Sequence, residues 1–111
     1  MCDLSSLRSV RRFGAEFRKR SPRLHVLVNN ASVLPPKRTL SDDGIELRFA
    51  TNVVGPFLLT ELLLPMLKDS APARVINVSS GGMYSQKLRS LRSREQQFAI
   101  GTSSRRRSRR M

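Results

Sequence analysis

Residues 24–31 read Leu24-His25-Val26-Leu27-Val28-Asn29-Asn30-Ala31, a short run mostly of leucine and valine that leads into paired asparagines. A strand apolar at most of its positions is expected to be buried on both faces, which is the habit of parallel sheets. Residues 74–79 repeat the pattern with Val75, Ile76 and Val78, and run on into Ser79-Ser80-Gly81-Gly82. Between the two runs lie a loop carrying Pro35 and Pro36 and a long apolar stretch of helical character. Two strands joined by a helical crossover make an α/β unit with a parallel sheet, and the crossover is expected to be right-handed.

Working outward, Ser5 or Ser6 is positioned to cap a helix whose apolar residues Leu7, Val10, Phe13 and Phe17 recur at three- and four-residue steps. Arg8, Arg11, Arg12, Arg18 and Lys19 occupy its other face, and Ser21-Pro22 ends it. After the proline loop, Ser41 is expected to cap a second helix with Asp42 and Asp43 in its first turn, where the helix dipole favours acids. That helix would carry Ile45, Phe49 and Val53, pause at Gly55-Pro56 and resume from Phe57 to Leu67, with Ala71-Pro72 as the turn into the second strand. The apolar stretch Val53–Leu67, broken by Gly55, Pro56, Thr60, Glu61 and Pro65, reads as too short and too polar to cross a bilayer.

Charge divides the chain. Residues 1–88 carry 13 basic and 7 acidic side chains, whereas residues 89–111 carry 8 arginines against Glu95 alone. Such a jump predicts a domain over 1–88 and an Arg/Ser-rich tail over 89–111 that buries too little apolar area to order itself. Arg8, Arg11 and Arg12 interrupt any signal-peptide core. Cys2 and His25 are the only residues of their kinds, so no intrachain disulfide and no cysteine- or histidine-rich metal site is expected, and a reducing, cytoplasmic setting is.

Four segments carry chemistry in a fixed order: Asp3-Leu4-Ser5-Ser6 before the first helix, Leu27-Val28-Asn29-Asn30-Ala31, Asn52-Val53-Val54-Gly55 within the long helix, and Arg74-Val75-Ile76-Asn77-Val78-Ser79-Ser80. Together, over about 80 residues, they resemble the central part of the short-chain dehydrogenase/reductase family, in particular its retinol-dehydrogenase-like branch. The resemblance implies a partial Rossmann-like, doubly wound parallel sheet whose ligands sit beyond the carboxyl ends of the strands. It further implies NAD or NADP as cofactor and a small alcohol or carbonyl as substrate. By the same resemblance Asp3 would hydrogen-bond the adenine and Asn30 would line its ribose side. Asn52 would interrupt its helix so that a backbone carbonyl holds a water of the proton relay, and Ser80 would polarise the substrate carbonyl. Leu58, Leu59, Leu62 and Leu63 would offer a homo-oligomer contact along the Val53–Leu67 helix.

Departures from the family pattern set a second expectation. Asn29-Asn30-Ala31 is followed by Ser32 where the family has glycine. The glycine-rich loop that seats a pyrophosphate at a helix N-terminus is not among the 111 residues. The one tyrosine, Tyr84 in Tyr84-Ser85-Gln86-Lys87, fits neither the spacing of the family's Tyr-x-x-x-Lys pair nor its distance from Ser80. A chain with these residues and no others is expected to lack the general acid of carbonyl reduction. Its tail reads as a misread or out-of-frame gene end. Two other functions compete with the oxidoreductase reading. One is a non-catalytic dimerisation partner of a full-length relative. The other is a basic module that meets nucleic acid or an anionic surface through Arg105–Arg110, with nucleic acid disfavoured because no aromatics are interleaved for stacking.

Overall fold

The first helix, α1 (Leu7–Arg20), starts where two side-chain oxygens meet its free amide groups. Ser6 Oγ accepts from the Ser9 N–H at 3.3 Å, and the Asp43 carboxylate accepts from the Leu7 N–H at 2.9 Å. The Ser6 carbonyl receives the first ladder bond, from the Val10 N–H at 3.0 Å. Arg18, Lys19 and Arg20 sit in the last turn, where the dipole favours cations, and Ser21 closes the helix onto Phe17 O at 2.9 Å. The computed structural model describes residues 1–85. The tail beyond Arg89, the boundary near Leu88, Lys87 and the Arg105–Arg110 cluster lie outside the described residues. Two compact units divide the chain, Met1–Ser79 and Ser80–Met111.

The second helix does not start at Ser41. Residues 41–45 form a tight turn in which Gly44 takes a left-handed backbone (φ 73°), the Gly44 N–H donates to Ser41 O at 2.9 Å and the Ser41 N–H to Ile45 O at 2.7 Å. Leu40 and Glu46 then pair as an isolated antiparallel bridge. Glycine at positive φ reverses the chain where a helix would continue it, and Asp43 is delivered to α1 instead of to its own helix. Helix formation begins at α2 (Leu47–Phe49), capped by the Glu46 carboxylate, which accepts from the Phe49 N–H at 2.9 Å.

A π-helical turn, Ala50–Val54, comes next, and α3 (Gly55–Asp69) continues from it. The irregularity thus falls one turn before the expected pause at Gly55-Pro56. Pro56 lies in the opening turn of α3, where its missing N–H does least harm. The continuous helical stretch Leu47–Asp69 is 23 residues, longer than the apolar run Val53–Leu67 and, by length and composition, enough to cross a membrane. Within the fold, however, it behaves as a core helix: Gly55, Leu59, Leu63 and Leu67, spaced four apart, are buried. Leu59 and Leu63 pack on Val10 of α1, with Phe13, Phe17, Leu24 and Leu27 around them.

That packing also corrects the leucine contact face. Leu59 and Leu63 are core residues at 8% and 2% exposure. Leu62 lies against Gly14, where an added Cβ would come within 3.2 Å of Leu62 Cδ1. The apolar residues that the helical stretch leaves to solvent are Phe49, Val53 and Phe57.

Strands β1 (Val26–Asn29) and β2 (Arg74–Asn77) pair in parallel, with Val26 opposite Arg74 and Asn29 opposite Asn77. The ladder is closed by the Arg74 N–H on His25 O at 2.8 Å and the Val78 N–H on Asn29 O at 3.0 Å. At the entry to β1, the Leu24 N–H donates to Ser70 Oγ at 2.9 Å, and Ser70 is buried. Burial on both faces is not met: Val26 and Val28 remain about half exposed and every position of β2 is exposed. The described residues supply helices to one face only, so the second face has nothing to pack on.

Leu63→Ala should therefore remove about 2–5 kcal/mol of stability, and Val28→Thr, on the bare face, less than about 0.5 kcal/mol. Urea unfolding followed by circular dichroism checks both, and equal losses would contradict the one-sided core.

Candidate functional site

Asn52 lies in the turn at 50–55, and that turn meets Leu4, next to Asp3, and Val33, three residues after Asn30. Asp3 precedes α1, and its Oδ1 accepts from the Ser5 N–H at 2.9 Å and the Ser5 hydroxyl at 2.7 Å. These bonds favour the charged form and hold the Asp3 carboxyl below the usual carboxylate range. The Asp3 N–H donates to Ser9 Oγ at 3.0 Å, which ties the segment to the first turn of α1. Its neighbour Leu4 lies against α3 at Gly55. A Cβ on Gly55 would overlap the Leu4 carbonyl, so glycine is required there for the backbones to meet.

Asn52 lies in the π-helical turn, and its side chain does something that sequence reasoning missed. Its Oδ1 accepts from the Val33 N–H at 2.8 Å, and its Nδ2 donates to Val33 O at 3.0 Å. One amide thus satisfies both backbone groups of a loop residue, as a neighbouring strand would. The clamp fixes the segment Asn30–Val33 that leaves the carboxyl end of β1. Arg48 holds the same loop further on, donating from Nη2 to Pro35 O at 2.6 Å. Arg48 Nε and Thr51 Oγ1 are buried without a hydrogen-bond partner among the described residues. π-Helical turns of this kind occur frequently at functional sites.

At the sheet's carboxyl end the two asparagines part ways. Asn29 turns toward α3, with Nδ2 donating to Thr60 Oγ1 at 3.1 Å and to Asn77 Oδ1 at 2.8 Å. Thr60 in turn donates to Pro56 O at 2.8 Å. Asn30 is exposed, and its side-chain amide makes no hydrogen bond among the described residues. The pairing of the two residue types is visible in the sequence, but not which of them is structural. Ser32 takes the place of a glycine without a left-handed backbone, since no described non-glycine residue has positive φ.

Ser80 belongs to the second unit. Within that unit it opens a short 3₁₀ turn, Gly81–Ser85, with its Oγ accepting from the Gly82 N–H and its carbonyl from the Met83 N–H, each at 3.2 Å. Tyr84, in the same turn, is exposed. No group of three or more His, Cys, Asp or Glu residues that could hold a metal ion occurs among the described residues. Cys2 has its thiol pushed up chiefly by burial.

Comparison with known proteins agrees with the fold. The family described as short chain dehydrogenase matches residues 1–89. Over 78 residues the chain is 54% identical to retinol dehydrogenase 14 of Mus musculus, covering 70% of this chain and 23% of that protein. It is 46% identical over 86 residues to dehydrogenase/reductase SDR family member 12 of Homo sapiens, covering 78% and 27%. The chain thus spans about a quarter of the length of these curated relatives. Among solved structures it resembles a metagenomic short-chain oxidoreductase in complex with NADP (TM-score 0.59, 29% identity, 71% of this chain and 37% of that one). It also resembles the Pseudomonas aeruginosa RhlG/NADP active-site complex (TM-score 0.60, 33% identity, 95% and 44%).

Two changes probe the site. Asn52→Ala should leave both backbone groups of Val33 unpaired and raise amide exchange at Val33 by about tenfold or more, and an unchanged rate would refute the clamp. Asp3 has a depressed folded pKa, so its contribution to stability is present above the unfolded value and lost as pH falls through the folded one. Asp3→Asn should flatten that acid limb in a pH series of unfolding midpoints.

Proposed function

The chain belongs to the short-chain dehydrogenase family, and from that premise we propose that residues 1–88 supply part of an NAD(P)-dependent oxidoreductase site for a small alcohol or its carbonyl. In this reading Asp3 and Asn30 meet the adenosine end of the cofactor, Asn52 serves the proton relay and Ser80 polarises the substrate carbonyl. The observation that carries it is the turn at 50–55, which holds the Asp3-Leu4 segment through Gly55 and the loop after Asn30 through Asn52. Pro56, four residues beyond Asn52, has no N–H to give to the Asn52 carbonyl, which suits that carbonyl to hold a water.

The donor set fits a nicotinamide dinucleotide at its adenosine end. Asp3 keeps one carboxylate oxygen without a described partner for an exocyclic amine, and Asn30 presents an uncommitted amide. When bound, the cofactor supplies or takes the hydride. The pyrophosphate end has no matching residues in the 111, and the Tyr-x-x-x-Lys pair is not among them either. We therefore propose that these residues turn over no substrate unaided. Names of relatives such as retinol dehydrogenase 14 support an apolar alcohol as the substrate class, and a cytoplasmic location remains our reading.

A second reading, a non-catalytic partner that associates with its own kind or with a full-length relative, is favoured by the exposed apolar stripe Phe49, Val53 and Phe57. If the long helix makes such a contact, Phe57→Asp should weaken self-association in sedimentation velocity and leave the helical signal intact.

The main test uses the full chain with adenosine monophosphate and with each nicotinamide cofactor. Nuclear magnetic resonance should show shifts confined to residues around Asp3 and Asn30, and no turnover of alcohols or carbonyls should be seen. Shifts absent from both segments would remove the adenosine assignment. Turnover abolished by Ser80→Ala would remove the claim of inactivity.

A further inference from the structure

α1 spends its apolar face on the core and presents an almost wholly cationic one to solvent. Arg8, Arg11, Arg12, Arg18 and Lys19 fall on one side of the helix, a stripe roughly 16 Å long at the rise of an α-helix. All five are exposed, and none of their side chains forms an ion pair or hydrogen bond with another described residue. Glu16 is the only acid on the helix and pairs with none of them. Helix surfaces ordinarily interleave opposite charges at three- and four-residue steps to offset such repulsion. Five like charges without a described partner form a surface built for an external polyanion.

We propose that this stripe docks the chain on an anionic lipid bilayer by surface adsorption, without insertion. Insertion is excluded by the helix itself: Val10 is fully buried, and Phe13 and Phe17, stacked with ring centroids 5.8 Å apart, pack on the core. An interfacial helix needs that apolar face free, so only the charges remain to make contact, and basic residues close to anionic headgroups are each attracted. The neighbourhood favours a flat partner over a nucleic acid. Arg8 and Arg12 share a cleft with Asp42 and Asp43. A nucleic acid whose backbone wraps the helix would bring phosphates against those flanking carboxylates, whereas a bilayer touches only the crest of the stripe. No aromatic side chain shares the crest to stack on bases. The net charge of +13 adds long-range attraction of the same sign. This surface is independent of the oxidoreductase reading.

Co-sedimentation of the full chain with phosphatidylcholine vesicles, with and without phosphatidylserine, tests it. Binding should require phosphatidylserine and weaken as salt rises. The triple change Arg8→Gln, Arg12→Gln, Lys19→Gln should lower partitioning at least about tenfold. Arg8→Lys with Arg12→Lys, which keeps the charge, should preserve it. Changing Arg105, Arg106 and Arg107 to Gln should leave the dependence on the α1 stripe in place. Arg11→Gln with Arg18→Gln gives an independent loss on the same stripe if the triple variant loses its helical dichroism. Equal binding to both vesicle types, partitioning untouched by both stripe variants, or binding that vanishes with the tail changes alone would overturn the proposal. So would duplex DNA bound more tightly than vesicles at the same ionic strength and lost on the triple change.

Discussion

The contact between Gly55 and the carbonyl of Leu4 governs how the rest of the molecule assembles. α3 passes the Leu4 backbone so closely that no Cβ has room between them, and the buried residues of α3 succeed Gly55 at steps of four: Leu59, Leu63, Leu67. A helix that stood off at Gly55 would lift this whole row away from Val10. The π-helical turn before it belongs to the same constraint. The Gly55 N–H reaches back five residues to Ala50 O, which rotates α3 about the helix axis relative to α2. Asn52 can then point at the loop while Gly55 faces Leu4. On the opposing helix Gly14 plays the matching part, leaving space that the Leu62 side chain occupies. Two glycines, one on each helix, set the separation at which the core closes.

Local periodicity makes much of this legible. The stripe Leu7, Val10, Phe13, Phe17 identifies α1, and the two Val-rich runs identify strands that pair in parallel. The start of the second helix is misplaced by sequence reasoning because Ser41-Asp42-Asp43 has good capping chemistry, and that chemistry is used elsewhere. Asp43 caps α1, 36 residues away in sequence, and nothing local reveals a partner at that distance. Gly44, the single glycine at positive φ among the described residues, is the signal that would have moved the boundary. The contact-face error has a similar origin. Leu59 and Phe57 lie on different sides of one helix, and the sequence shows both sides apolar, so only the position of α1 decides which is core.

The site divides along the same line. Asp3, Asn30, Asn52 and Ser80 are nameable because the family motifs mark them. What Asn52 does with its side chain is not, because the clamp on Val33 depends on the path of a loop that carries no periodicity. Asn29 and Asn30 look alike in sequence, yet strand alternation sends one toward α3 and leaves the other to solvent. Their difference in role is a consequence of register, which pairs Asn29 with Asn77.

That register also explains the odd polarity of the sheet. Leu27 and Asn29 alternate onto the helix-covered face, and Val26 and Val28 onto the bare one, where Val28 stands opposite Ile76. A sheet designed to have one wet face would put polar residues outside and apolar ones beneath the helix. Here the outer face carries Val26, Val28 and Ile76, each about half exposed, beside Arg74, while Asn29 and Asn77 stand together on the other. The half-buried Asn29 is tolerated there because its amide donates to Asn77 Oδ1 and to Thr60 Oγ1, and Thr60 donates on to the Pro56 carbonyl. Apolar residues on both faces, with a hydrogen-bonded asparagine beneath the helix, are the pattern of a sheet meant to be covered twice. The doubly wound architecture is therefore encoded in the strands themselves, and the bonded asparagines tie its carboxyl end to the turn that organises the candidate site.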